Sequence, residues 1–341
     1  MRVRGHSERA RHAVPLPIAA VGLNDKDGEA ARLGFAVKVL GREGLKSNDA
    51  RRWQSGPHLR VSIGYLDSIF DYLEATAIRM YRISSDVAPY VTHPEMPQFH
   101  GQIEESFEEL AALGEKARRL GLRLSMHPSQ YIVLNSPEER IARSAVADFD
   151  YHARFLDALG MGPEAKIVTH VGGRYGDKPA AMARFAERYE LLPDAVKRRL
   201  VLENDEISYG VPDILAIHDA CGIPLVFDIL HHRVNNPGEL AAEEACRACL
   251  ATWPPGQTPK IHYSSQRLIA RTQRKGADPA APAAAKAGEH DDWIDADDFL
   301  GFARAMGDRR FDVMLEAKQK DMAVLRLRTA IAAAGLQDRF W

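Results

Sequence analysis

Eight short apolar runs, at 33–37, 78–84, 122–127, 166–170, 200–203, 224–228, 259–262 and 312–316, each end on or just before a polar residue, in most cases His, Glu or Asp. Most are nearly continuous apolar stretches, so each run reads as a buried strand, as a parallel sheet under helices requires. Helical periodicity fills the intervals at 65–74, 103–120, 137–159, 178–190, 212–221, 238–250, 296–305 and 322–334. Eight strand–helix units predict an α/β fold, a TIM (β/α)8 barrel formed as a single domain. Active sites of such barrels lie at the C-terminal ends of the strands, so the polar residues at the run ends are expected to converge there.

Length changes little in this picture: 341 residues suffice for one barrel over 31–341, a flexible N-terminal tail over 1–30, and a long loop over 264–290 after the seventh strand. The tail begins Arg-rich, with Arg2, Arg4, Arg9 and Arg11, and lacks the apolar stretch of a signal peptide. With no run long enough to span a membrane, a soluble cytoplasmic protein is expected. The three cysteines fit a reducing compartment, with Cys246 and Cys249 read as helix-packing thiols. A formal net charge of -2 gives no global sign of nucleic acid, but bound divalent cations would add positive charge at one mouth of the barrel. The long loop opens with Arg267, Arg271, Arg274 and Lys275, which suit phosphate contacts as well as they suit a solvated insertion.

The candidate ligands are His127, His170, Glu203, Asp228, His231, His262, His290 and Glu316, with His93 as a further candidate after the second strand. One ion does not need so many. Mixed imidazole and carboxylate donors suit zinc, manganese or iron, and the set predicts two or three ions bridged by a carboxylate. Such clusters serve in-line displacement at phosphorus, where one ion generates hydroxide and others neutralise the phosphoryl and leaving oxygens. Metal pairs in barrels also drive aldose–ketose isomerisation, but the histidine-rich set leans toward a nuclease.

The motifs HPSQY (127–131), LENDE (202–206), FDILHH (227–232) and PKIHYSSQ (259–266) resemble those of the UV damage endonucleases, relatives of the endonuclease IV barrels. RISSDVAPYVTHP (82–94), THVGGRYGDK (169–178), GEH (288–290) and VMLEAKQK (313–320) extend the likeness across 32–320. The resemblance implies a DNA repair endonuclease that takes damaged double-stranded DNA. It would nick the backbone immediately 5′ to a UV photoproduct or similar lesion, leaving a 3′-hydroxyl and a 5′-phosphate. It also implies three divalent ions, manganese first and zinc or cobalt as alternatives. His127, His170 and Glu203 would hold one ion. Glu203 would bridge to a second held by Asp228, His262 and Glu316, and His231 and His290 would hold the third. Glu203, His231 and Lys260 are the expected catalytic residues, with Lys260 matching a lysine that the family carries in carboxylated form.

Gln130 and Tyr131 match the pair with which the family probes the duplex at the lesion. After the first strand the family commonly presents Tyr and Asn where this chain has Phe35 and Val39, so Phe35 is expected to stack on a base while Val39 cannot hydrogen-bond one. Lys38, Ser265 and Gln266 are further expected DNA contacts, and Asn204 and Asp205 would orient ligands through hydrogen bonds. His232 would face away from the site if its segment is extended. An abasic-site endonuclease and a metal-dependent sugar isomerase are the alternative readings, and a monomer is expected because a duplex needs the barrel mouth free.

Overall fold

The computed structural model describes residues 30–269, 283–284 and 286–340. The tail predicted over 1–30 lies almost wholly outside them, as do Arg271, Arg274 and Lys275. Eight parallel strands close into a barrel in sequence order: β1 Leu33–Ala36, β2 Met80–Ile83, β3 Arg123–Met126, β4 Lys166–His170, β5 Leu200–Glu203, β6 Leu225–Asp228, β7 Lys260–Tyr263 and β8 Asp312–Leu315. The barrel closes where Leu33 of β1 pairs with Val313 of β8. Eight helices alternate with the strands: α1 Leu59–Ala75, α2 Phe107–Arg119, α3 Glu139–Ala158, α4 Lys178–Glu190, α5 Val211–Cys221, α6 Ala242–Ala251, α7 Ala296–Ala305 and α8 Lys320–Ala333. This is the predicted fold, a TIM barrel. Among the described residues no helix is long and apolar enough to cross a membrane.

Strand parity decides what the barrel can do. Odd positions of β1 join the large core between strands and helices, where Leu33 and Phe35 pack with Tyr81, Val313 and Leu315. The alternate positions of the strands turn inward: Ala36, Met80 and Met314 form a separate interior cluster, as do Val168, Val201 and Val226 with Trp253. Gly34 has no room for a side chain, because a Cβ there would lie 2.5 Å from the Met80 carbonyl oxygen.

The N-terminal end of the barrel is closed by buried charge. Asp312 accepts hydrogen bonds from Arg123 Nη1 at 2.7 Å and from the Arg32 backbone N–H at 2.7 Å. The Arg123 and Lys166 cations lie 5.8 and 5.4 Å from the Trp253 ring centroid, and Lys166 donates to the Arg198 carbonyl. Burial, reinforced by Arg123 and Arg199, pulls the Lys166 ammonium down to about 8. Polar chemistry at this end is thus consumed by closure, which leaves the opposite end for function.

Two local departures from the expected elements matter for the site. The segment after β6 is not extended: Ile229–Val234 forms a short helix capped by Asp228, whose side chain accepts from His231 N. The 264–290 loop contains a two-residue antiparallel pairing of Leu268–Ile269 with Ala283–Ala284, so part of it is a ribbon.

Candidate metal centre and nucleic-acid face

Every candidate ligand from His127 to Glu316 converges at the C-terminal mouth around Glu203, whose carboxylate is 1% exposed. Glu203 lies 3.1 Å from His127 Nε2, 2.8 Å from His262 Nδ1, and 3.6 Å from both His170 Nε2 and His231 Nδ1. Glu316 continues the chain of contacts, 3.4 Å from His262 Nδ1 and 3.9 Å from His290 Nε2. Asp228 stands 3.8 Å from His231 Nδ1. Two compact groups emerge among the described residues, one of His127, His170 and Glu203 and one of Glu203, Asp228 and His262, each with its ligand atoms within 4.8 Å. Glu203 belongs to both.

Several polar atoms here are buried without a hydrogen-bond partner among the described residues: Asp228 Oδ2, His170 Nδ1 and His262 Nε2. Burying unsatisfied polar atoms is costly, and side chains that carry that cost in one crowded mouth fit a site that holds metal ions. The imidazole and carboxylate donors fit divalent transition metals. Protonation follows from the crowding. Burial opposes ionisation of Glu203, but the charges of His262 and His170 and hydrogen bonds from His127 and His262 hold it well below the usual carboxylate range. Burial raises Asp228, and the Glu203 and Glu316 charges add to that against His231. His127 is pulled down to about 4 by burial, the Glu203 carboxylate opposing. His231 also suffers burial, yet Asp228, Glu203, Glu316 and Glu206 together push it up to about 10. Two imidazoles on opposite sides of the pKa scale thus face the same Glu203 carboxylate.

Lys260 is wholly buried, and its Nζ has no hydrogen-bond partner among the described residues. Burial, together with Arg123 and Arg82, drives its pKa well below the ordinary lysine value. Asn204 positions the ligands next to it: it donates through Nδ2 to the Asp228 carbonyl, accepts from Asp228 N, and its own carbonyl lies 3.0 Å from His231 Nδ1. Asp205 has a different task. Its carboxylate accepts from the backbone N–H groups of Ile207, Ser208 and Tyr209 and shapes the loop rather than a ligand.

Some expected roles do not survive the geometry. Phe35 is fully buried with its ring 5.3 Å from Tyr81, facing the helices, so it cannot stack on a base; Val39 is buried as well. His93 makes its contacts within its own loop, with Glu95, His100 and Tyr90, and joins neither compact group. Gln266 is engaged in closing the long loop, donating to the Lys286 carbonyl and accepting from Gly288 N, and it pairs with His290. Its amide thus sets a ligand's position instead of meeting DNA. Ser265 accepts from Asp295 N at the start of α7, and Arg267 is paired with Glu289. His232 bonds the Leu240 carbonyl from a helical, not extended, segment. Gln130, Tyr131 and Lys38 are exposed on loops at the mouth.

Sequence reasoning gave no role to two residues of the site. Arg82 of β2 forms an ion pair with Glu316, and Glu206 lies 3.7 Å from His231 Nε2. Arg82 shares the inward parity of Met80.

The family described as UV-endonuclease UvdE matches residues 62–337. This chain belongs to that family. Two UvdE relatives, each a "UV DNA damage endonuclease", come from Bacillus pumilus (strain SAFR-032) and Bacillus velezensis. The first is 36% identical over 260 residues, 75% of this chain and 76% of that protein. The second is 34% identical over 265 residues, 77% and 78% respectively. The crystal structure of SacUVDE covers 89% of this chain and 99% of its own at a TM-score of 0.74 and 30% identity. A D-psicose 3-epimerase from Clostridium cellulolyticum H10 reaches a TM-score of 0.51 at 11% identity, over 90% of this chain and 94% of its own, a likeness of fold alone. As a UvdE member the protein is a hydrolase of the endonuclease class.

Proposed function

We propose that this UvdE-family protein is a metal-dependent DNA repair endonuclease that nicks damaged duplex DNA immediately 5′ to UV photoproducts and similar lesions, leaving a 3′-hydroxyl and a 5′-phosphate. The observation that carries the reading is the convergence of seven His, Asp and Glu side chains around Glu203 at one barrel mouth in a chain of this family. His127 and His170 with Glu203 would hold one divalent ion, Asp228, His262 and Glu316 with Glu203 a second, and His231 and His290 a third, manganese being the first choice. Bound ions would supply a hydroxide nucleophile and neutralise phosphoryl charge. The chain's own groups prepare the site: Arg82 holds Glu316, and Asn204 holds Asp228 and His231. Gln130 and Tyr131 would read the lesion, Tyr131 at 78% exposure offering a stacking face, with Lys38 on phosphate.

The test is Mn²⁺-dependent nicking of a labelled duplex bearing one photoproduct, beside undamaged and abasic duplexes. A cut 5′ to the photoproduct, lost on chelation and regained with Mn²⁺, is expected. Metal-loaded protein that cuts no duplex would refute the reading, and preference for the abasic duplex would favour the abasic-site alternative.

Under the same reading, Lys260 is carboxylated. Burial, with Arg123 and Arg82 nearby, favours its neutral amine over the ammonium, and the neutral amine adds CO2 to give a carbamate with release of one proton, which would place an anion beside these cations. Protein equilibrated with ¹³C-bicarbonate should show a carbamate ¹³C resonance that Lys260→Arg lacks; identical spectra would remove the modification.

A further inference from the structure

Of the large apolar side chains left exposed among the described residues, all but Leu191 lie on, or at the helix start after, connections leaving the C-terminal ends of barrel strands. Scattered exposed apolar residues are ordinary. Their gathering on the face that holds the metal centre marks an interaction surface. Three of them, Tyr131, Tyr175 and Ile207, stand on the successive connections after β3, β4 and β5. One carbonyl ties those connections together: Gly173 O accepts from Asn135 Nδ2 at 2.8 Å and from Tyr209 Oη at 2.9 Å.

Ile207 is the least expected of the three. It is 66% exposed, four residues past the shared ligand Glu203. Its loop is fixed: Asp205 accepts from three successive N–H groups, its N–H donates to the Tyr209 carbonyl at 2.9 Å, and its carbonyl accepts from Asn235 Nδ2 at 3.0 Å. Both acidic neighbours are occupied elsewhere, Asp205 by the loop's backbone and Glu206 by His231 at 3.7 Å. The tip therefore presents a rigidly held, uncharged branched side chain beside the metal centre.

We infer that Ile207 is an apolar wedge that enters the base stack next to the scissile phosphate, a specificity-determining contact beyond the Gln130–Tyr131 pair; the inference rests on the endonuclease reading above. An isoleucine has no hydrogen bond to offer a base edge and no ring to stack. What it can do is fill the gap between the bases of a partly opened step and keep water from their faces, as apolar wedges do in other DNA-binding proteins. A duplex weakened by a lesion opens at lower cost and so admits the wedge more readily.

The test compares wild type, Ile207→Ser and Ile207→Leu on two duplexes carrying the same photoproduct, one fully paired and one mismatched opposite the lesion so that the step is already open. Equal metal content confirms an intact centre. Ile207→Ser should lose about tenfold in kcat/KM on the paired duplex and less than about threefold on the mismatched one, with Ile207→Leu close to wild type. Equal losses on both duplexes, or no loss on either, would overturn the wedge while leaving the endonuclease reading in place. A wild type that nicks neither duplex removes the endonuclease reading, and the wedge with it.

Discussion

Glu203→Gln should lower nicking by about a thousandfold or more, roughly 4 kcal/mol of transition-state stabilisation. Glu203 is the residue common to both compact ligand groups, and it touches four histidines from four elements. An amide keeps the volume but removes the negative charge and one of two acceptor oxygens, so it cannot bridge two cations. Two measurements check this together: the nicking rate on the photoproduct duplex and the number of metal ions retained per chain after dialysis. Both should fall, with the circular dichroism spectrum unchanged. Nicking within about tenfold of wild type, with full metal content, would dismiss Glu203 as the bridge.

Asp312→Ala, at the other end of the barrel, should act on stability instead. Asp312 is the buried anion between Arg123 and the Arg32 backbone, with the two side chains of the Arg123–Asp312 pair 4% and 1% exposed. Removing one partner of a buried pair strands the other charge, at a cost of about 3–5 kcal/mol. The lower part of that range is expected, since Arg123 also donates to the Thr258 and Pro259 carbonyls. Urea unfolding should show the loss, and the fraction still folded at low temperature should nick within about threefold of wild type because the site is remote. An unchanged midpoint would show that the Arg123 carbonyl contacts suffice to close the barrel.

Much of this architecture was legible from residue order. Apolar runs ending in His170, Glu203, Asp228 and Glu316 carry both the strand pattern and the ligand chemistry, so fold and site announced each other. Parity was not legible. In a run such as LGFAV every position is apolar, and nothing local says that Gly34 faces the interior while Phe35 faces the helices. The same blindness misplaced Phe35 as a base-stacking residue. Loop geometry was hidden for another reason. Gln266 looked free to meet DNA because its partners, Lys286 and Gly288, lie some twenty residues away across a ribbon. His231 was reached through its residue type and the resemblance of FDILHH, while the helix that Asp228 caps gave no warning there.

The Gly173 carbonyl that joins the connections after β3, β4 and β5 has a mechanical consequence. A rim cross-braced in this way is ordered during folding, so little further ordering accompanies contact with a duplex. Under the proposed reading the protein behaves as a stiff template and the bending and unstacking fall on the DNA. Discrimination among duplexes then follows how easily each one deforms, a form of indirect readout. Lesions of unlike chemistry would be treated alike wherever they soften the helix to a similar degree.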